Sequence, residues 1–190
     1  MDDEIIDFIS KIIPLTEDQI SFIRSQNQFE TYKKGTVLLS EGEFCKLNFF
    51  ILKGCIRSYY IVEGEERTTE FYTERQSIIP ISLVKNQPSE YYLSCLEDCV
   101  VAVSTAETSQ KLIERVPKLE SLIIQMHSQL LIEHQVSLDD FKNLNPEMRY
   151  KKLLERRPDL LQRVSLFHLA SYLGITPESL SRIRKRITLK

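Results

Sequence analysis

Residues 165–187, SLFHLASYLGITPESLSRIRKRI, gather hydrogen-bonding and cationic side chains at spacings that one helix would display together. Arg182 can donate two parallel hydrogen bonds to a guanine edge, Glu178 can accept from a cytosine amino group, and Ser179 can reach a base edge or a phosphate. Thr176 beside a helix N-terminus can hold a phosphate, and Arg184, Lys185 and Arg186 attract a polyanion.

The elements that must position these groups are legible in the same stretch. It reads as two short helices joined by a tight turn at Gly174, the pattern of a helix-turn-helix. Ala170 supplies the small residue where the helices cross, and Gly174, four residues on, supplies the positive φ of the turn. Leu169, Leu173, Ile175, Leu180 and Ile183 fill the interior positions, Thr176 can cap the second helix, and Pro177 suits its first turn. Glu178, Ser179, Ser181, Arg182, Lys185 and Arg186 are then left on surfaces that packing does not require. A helical hairpin with a basic exterior is the plainer alternative.

Charge distribution favours the nucleic-acid reading. The whole chain is nearly neutral, with 25 Lys+Arg against 27 Asp+Glu in 190 residues. From Glu147 onward, however, 11 basic residues face 4 acidic ones, whereas residues 1–146 hold 14 basic and 23 acidic. A surplus of seven positive charges confined to one small C-terminal unit is the footprint of a polyanion binder.

Upstream, Ile5, Ile6, Phe8, Ile9, Ile12 and Ile13 recur at helical spacing up to Pro14, and a second helix follows Thr16, its expected cap. From Phe29 the pattern changes to short runs rich in Val, Ile, Tyr, Phe and Thr, with glycines marking turns. Strands are predicted at 29–32, 36–39, 48–52, 55–62, 67–72, 91–95 and 99–103, with turns at Lys53-Gly54 and Glu63-Gly64. Residues 76–90 carry Pro80 and Pro88 and room for a helical turn at 81–84. From Lys118, Leu119, Leu122, Ile123, Met126, Leu130, His134, Ser137, Leu138 and Phe141 recur at steps of three and four, predicting one helix of about 25 residues. Its apolar seam needs a partner, either a second copy of the chain or the β segment itself; the first is the expectation.

Nothing points to catalysis. His127, His134 and His168 form no recognisable ligand or catalytic set, and the phosphate-cradling glycine loop and paired-carboxylate patterns are missing. Cys45, Cys55, Cys95 and Cys99 contain no CxxC pair and read as small buried hydrophobes, so neither a metal nor an Fe–S cluster is expected. No run approaches a membrane span, and the acidic start MDDEIIDFIS is unlike a secretory signal, which predicts a cytoplasmic protein without membrane association.

Taken in order, KKGTVLLSEGE, FFILKGCIRSYYIVEGEERTTEFY and LASYLGITPESLSRIRK resemble the bacterial transcription regulators of the catabolite activator and fumarate-nitrate regulator (CRP/FNR) family. The resemblance implies an α+β fold: an N-terminal double-stranded β-helix, or β-roll, of cyclic-nucleotide-binding type with N-terminal helices (1–117), a dimerisation helix (118–144) and a C-terminal winged helix-turn-helix (145–190). It puts Thr176, Glu178, Ser179 and Arg182 on base- or phosphate-contacting positions, with Pro177 where the family often has arginine. It implies a homodimer on pseudo-palindromic double-stranded DNA; activation would further imply contact with RNA polymerase, for which no patch is evident.

Family members that bind a cyclic nucleotide carry a Gly-Glu pair and then an Arg-Ser or Arg-Thr pair, giving the ribose a carboxylate and the phosphate a guanidinium. Here the stretch reads SIIPISLVKNQPSEYYLSC, with Pro80 at the carboxylate position, Glu90 at the arginine position, and Tyr91 and Tyr92 adding bulk. The expectation is a roll that binds neither cyclic AMP nor cyclic GMP and has no cofactor. The N-terminal cysteine cluster of oxygen-sensing relatives is missing, as is an evident heme ligand, so no iron is expected either. The competing reading is a small-molecule sensor whose basic tail contacts a protein. A cupin-like enzyme is more remote, since 29–103 holds no histidine to ligate a metal.

Overall fold

The computed structural model of the chain describes residues 2–26 and 28–188. Two helices, α1 (Asp2–Ser10) and α2 (Glu17–Gln26), lead into eight strands: β1 (Gln28–Tyr32), β2 (Val37–Leu39), β3 (Asn48–Lys53), β4 (Ile56–Val62), β5 (Glu65–Tyr72), β6 (Ser77–Ile78), β7 (Tyr92–Cys95) and β8 (Cys99–Ser104). A short helix, α3 (Ile81–Lys85), separates β6 from β7, and α4 (Ala106–Arg115), α5 (Lys118–Asn143), α6 (Pro146–Arg156), α7 (Leu160–Arg163), α8 (Leu166–Tyr172) and α9 (Pro177–Thr188) follow. Among the described residues, no helix is long and apolar enough to cross a membrane.

The strands form two four-stranded antiparallel sheets, β1-β8-β3-β6 and β2-β7-β4-β5. Side-chain alternation, with a period of two, gives each strand an inner and an outer set. On β3, Phe49 and Ile51 turn inward and join Leu39, Ile56, Leu93, Val101 and Val103 in the core between the sheets. Phe50 and Leu52 turn outward, where Ile5, Ile6, Ile9, Ile23, Val116, Leu119 and Leu122 cover them. The β4–β5 hairpin turns at Glu63 and Gly64, both at positive φ (56° and 82°), as the right-handed strand twist favours. Thr16 begins α2 as expected: its Oγ1 accepts from Gln19 N–H at 3.3 Å while Gln19 Oε1 accepts from Thr16 N–H at 3.0 Å, a reciprocal cap.

Three features depart from the sequence expectations. The helix α4 was not anticipated: Thr105 and Thr108 cap each other's backbone N–H groups at its start, and the helix buries no side chain completely. The apolar seam of α5 is divided. Leu119 and Leu122 are buried against the roll and its N-terminal helices, with Ile123 and Met126 partly so, whereas Ile124, Leu131, Ile132, Leu138 and Phe141 stay exposed. Finally, the segment from α6 onward is wholly helical among the described residues, and the strands of a wing have no counterpart there.

This helical unit closes its own core on the roll. Phe71 of β5 and Cys55 are buried with Tyr150, Leu153, Leu160, Leu169, Leu173, Leu180 and Ile183. Phe71 stacks obliquely on Tyr172, with ring centroids 5.2 Å apart. Full burial of one such side chain is worth about 1.5–3 kcal/mol relative to exposure.

Candidate functional site

The α8–α9 crossing is built as the spacing predicts. Leu169, Ala170, Leu173, Leu180 and Ile183 are buried and Ile175 is half-buried. Gly174 sits at φ 66°, and a Cβ there would stand 2.9 Å from the Phe141 ring, so the turn needs glycine both for its conformation and for its clearance. Thr176 Oγ1 accepts from Ser179 N–H at 3.3 Å, capping α9.

With the packing residues turned inward, Glu178, Ser181, Arg182 and Lys185 form an exposed stripe at i, i+3, i+4 and i+7. Its own backbone N–H and then the Thr176 hydroxyl hold the Glu178 carboxyl below its usual range. Ser179 is half-buried and serves the helix itself: its Oγ accepts from Thr176 Oγ1 at 3.2 Å and from Arg182 Nη2 at 3.4 Å, which steadies the guanidinium. Arg186 faces Glu147 Oε2 at 3.5 Å and so ties α9 to α6. The structure therefore gathers Glu178, Ser181, Arg182 and Lys185 on one outward face, with Thr176 at its N-terminal end. Ser179 and Arg186 are partly committed within the unit.

The other helix of the pair, α8, faces the roll. In the sheet order, β5 is an edge strand, and Ser171 satisfies that edge: its Oγ accepts from Thr68 N–H at 2.9 Å and donates to Glu66 O at 3.0 Å. Buried Arg57 donates to His168 Nδ1 at 2.6 Å and to Glu66 Oε2 at 2.6 Å, with its guanidinium 4.0 Å from the centre of the Tyr59 ring. As acceptor, His168 is neutral here. Burial, then the Arg57 charge, pulls its pKa below the usual value, with Glu66 acting the other way. Arg163 of α7 donates to both oxygens of Glu74 at 2.8 Å and also to Glu97. Arg157 reaches Phe71 O at 3.4 Å and Thr73 Oγ1 at 3.2 Å. The sequence reading missed these contacts, and those that join the helices to the roll link residues 66 to 111 positions apart.

A second site lies between the roll and α5, a cleft of about 470 Å³. The roll contributes Ser58, Tyr60, Glu70, Tyr72 and Tyr91, and α5 contributes His127, Leu130, Leu131 and His134. His127 and His134, unrelated in the sequence reading, share the cleft because seven residues are two helical turns. The segment read as lacking nucleotide-phosphate ligands contributes Ser77, Ile78, Ile79, Ile81 and Tyr91 to the cleft. Pro80 precedes α3, and the first N–H of that helix, from Ile81, donates to Tyr91 Oη at 3.2 Å, so a tyrosine hydroxyl stands where an anion's oxygen would. Glu90 and Tyr92 correct the expectation. Glu90 is exposed and does not line the cleft, and Tyr92 stacks on Tyr59 at 5.1 Å outside it. The cleft's carboxylate is Glu70, on a strand that alternates Glu70 and Tyr72 inward with Phe71 outward. Among the described residues, no group of three or more His, Cys, Asp or Glu side chains is placed to hold a metal.

Residues 29–116 match the family model of the cyclic nucleotide-binding domain. No curated protein matches the sequence significantly. Solved structures match across nearly its full length. A CooA mutant from Carboxydothermus hydrogenoformans is 14% identical with TM-score 0.74, covering 95% of this chain and 82% of that one. The c-di-GMP responsive global regulator CLP of Xanthomonas campestris is 16% identical with TM-score 0.70, covering 92% of both chains. FixK2 of Bradyrhizobium japonicum is 16% identical with TM-score 0.71, covering 86% of this chain and 85% of that one. The chain thus has the fold of the CRP/FNR regulators, with a cyclic nucleotide-binding-type roll at 29–116.

Proposed function

We propose that this chain, built on the CRP/FNR fold, is a DNA-binding transcription regulator that works as a homodimer on pseudo-palindromic double-stranded DNA. The observation that carries the reading is the exposed stripe Glu178, Ser181, Arg182 and Lys185, set outward by an α8–α9 crossing whose apolar positions are buried. The units are the roll and its helices (1–117), the connecting helix (118–144) and the DNA-reading helices (145–190). Thr176, Glu178, Ser179, Ser181, Arg182, Lys185 and Arg186 make the contacts, with Arg182 reading a base and Lys185 and Arg186 serving the backbone. Dimerisation uses the exposed apolar residues of α5, where Ile124, Leu131 and Leu138 repeat every seven positions. The protein has no catalytic role and acts in the cytoplasm.

The roll takes no cyclic nucleotide. The cleft presents Glu70 where a phosphate would approach, Tyr91 occupies the first N–H of α3, and no Arg or Lys is among the described lining residues. Selection from a randomised duplex pool tests the DNA reading, with Arg182→Ala in parallel. The expected result is a two-fold symmetric site whose binding the variant weakens by about 1–3 kcal/mol, with selectivity relaxed at one position of each half-site. Equal selectivity of both proteins would remove Arg182 from base readout, and failure to enrich any site would favour a protein partner for the basic unit.

A further inference from the structure

The cleft between the roll and α5 holds a carboxylate that lacks a close partner. Glu70 is 14% exposed; its Oε1 accepts from Phe71 N–H at 2.8 Å, but the nearest basic group to Oε2 is His134 Nε2, at 3.7 Å. Burial pushes this carboxyl's pKa up, opposed by the Phe71 N–H and the fields of His134 and Arg157 and reinforced by Glu133. The guanidinium whose field acts on Glu70, Arg157, is spent on Phe71 O, Thr73 Oγ1 and Asp159. A buried carboxylate whose nearest basic group is a histidine 3.7 Å away is costly; a proton relieves that cost, and so does a positive charge brought in from outside, which favours the ionised form.

The remaining lining suits such a guest. Tyr60 and Tyr91, with ring centroids 5.8 Å apart, offer electron-rich faces and hydroxyls, while Ile78 and Leu130 offer apolar contact. The volume, about 470 Å³, falls in the range of small-ligand pockets. We propose that this cleft binds a small organic cation, an ammonium group carried on an apolar body, with the charge on Glu70 Oε2 and the body against Leu130 and Ile78. Because α5 supplies one wall, the guest touches the helix that connects the roll to α6–α9. The site rests on the cleft alone and not on the DNA reading.

Isothermal titration of the full chain at neutral pH without DNA tests this. The probes are benzylammonium against benzyl alcohol, choline against its uncharged tert-butyl analogue, and cyclic AMP. The expected result is that at least one ammonium probe binds about tenfold or more tightly than its neutral counterpart, and that cyclic AMP does not bind. Glu70→Gln, which can still accept from Phe71 N–H, should abolish the preference for charge. Leu130→Trp, which fills the cleft from the helix side, should abolish binding of both members of a pair. Equal binding within both pairs, no binding by either ammonium probe, or a preference that survives Glu70→Gln would each overturn the proposal. If Glu70→Gln fails to fold, the probe pairs and Leu130→Trp still decide. With DNA left out, failure here is separate from failure of the operator selection.

Discussion

Ile23 and Arg163 each fasten a group of helices to the same roll, Ile23 by filling an apolar seam and Arg163 by bridging two carboxylates. On the β1-β8-β3-β6 side, α1, α2, α4 and the start of α5 close over Phe50, Leu52 and Ala102 with isoleucines, leucines and Val116. A polar link there, Gln19 Nε2 to Arg115 O at 3.4 Å, joins helix to helix. On the β2-β7-β4-β5 side, α6–α9 add to Phe71 and Cys55 a set of charged contacts centred on Arg57, Arg157 and Arg163. Apolar burial hardly responds to protons and survives salt, whereas partly exposed ion pairs weaken with both. The contrast makes the first group a fixed wall and the second a unit whose hold on the roll can be adjusted.

The largest expected effect comes from breaking the wall. Ile23 is fully buried, and Ile23→Ala should cost about 2–5 kcal/mol of unfolding free energy by urea titration, lost contacts and residual cavity together. A loss below about 1 kcal/mol would mean that the seam relaxes around the gap and is not a rigid wall. Arg163→Ala should cost less, about 1–2 kcal/mol, because its side chain is 21% exposed and its partners are 38% and 33% exposed, so solvent already screens the bridges. Its signature is local. Cys55 lies in the seam, fully buried, with its thiol pushed up to about 12 by burial. In Arg163→Ala, alkylation of Cys55 should accelerate while Cys99, in the roll's own core, stays protected. Equal protection of both thiols would show that apolar contact alone holds the unit and would collapse the contrast.

These two attachments also differ in how far they can be read from the sequence. The strands, the short helix at 81–85, the long helix and the α8–α9 pair follow from local spacing, because each periodicity is set by neighbours within one or two turns. The stripe Glu178, Ser181, Arg182 and Lys185 was legible for the same reason: the packing residues fix the phase of α9, and the stripe is what remains. The dock was not legible. Nothing near Ser171 announces that it will satisfy the β5 edge, and His168 reads as one isolated histidine until Arg57 is brought within 2.6 Å. The α5 seam was half legible, since a 3.6-residue period locates an apolar stripe without saying whether the roll or a second chain covers it. In the cleft, Tyr91 is one of the lining residues, whereas Pro80 and Glu90 do not line it and the carboxylate there is Glu70, because alignment by residue type cannot tell which residues the fold turns toward a cleft.

The smallest expected effect is the one that separates the charged dock from the apolar wall most cleanly. In the docked state His168 titrates below about 6.5, the value it regains when released. Release therefore takes up a proton between those two values. The contribution of His168 to docking is fully present above about 6.5 and is lost as pH falls below it toward the docked-state value. Protonation also removes the lone pair on Nδ1 and sets an imidazolium against the Arg57 guanidinium, 2.6 Å away, with Glu66 as the only carboxylate bonded to Arg57 among the described contacts. Glu74 answers in a different window: burial works to raise its pKa, but hydrogen bonds from Arg163 and Gly54 N–H outweigh it and hold it low, so its contribution fades only in the carboxylate range. Hydrogen exchange at Thr68 N–H, bonded to Ser171 Oγ across the seam, reports the dock directly. After correction for intrinsic rates, its protection should fall by less than about tenfold as pH drops from about 7 to about 5.5, and in His168→Gln it should stay flat. An amide buried under Ile23 should be insensitive in both proteins. If Thr68 loses protection equally in His168→Gln, the pH response belongs to another group, and His168 is only a packing residue in the seam.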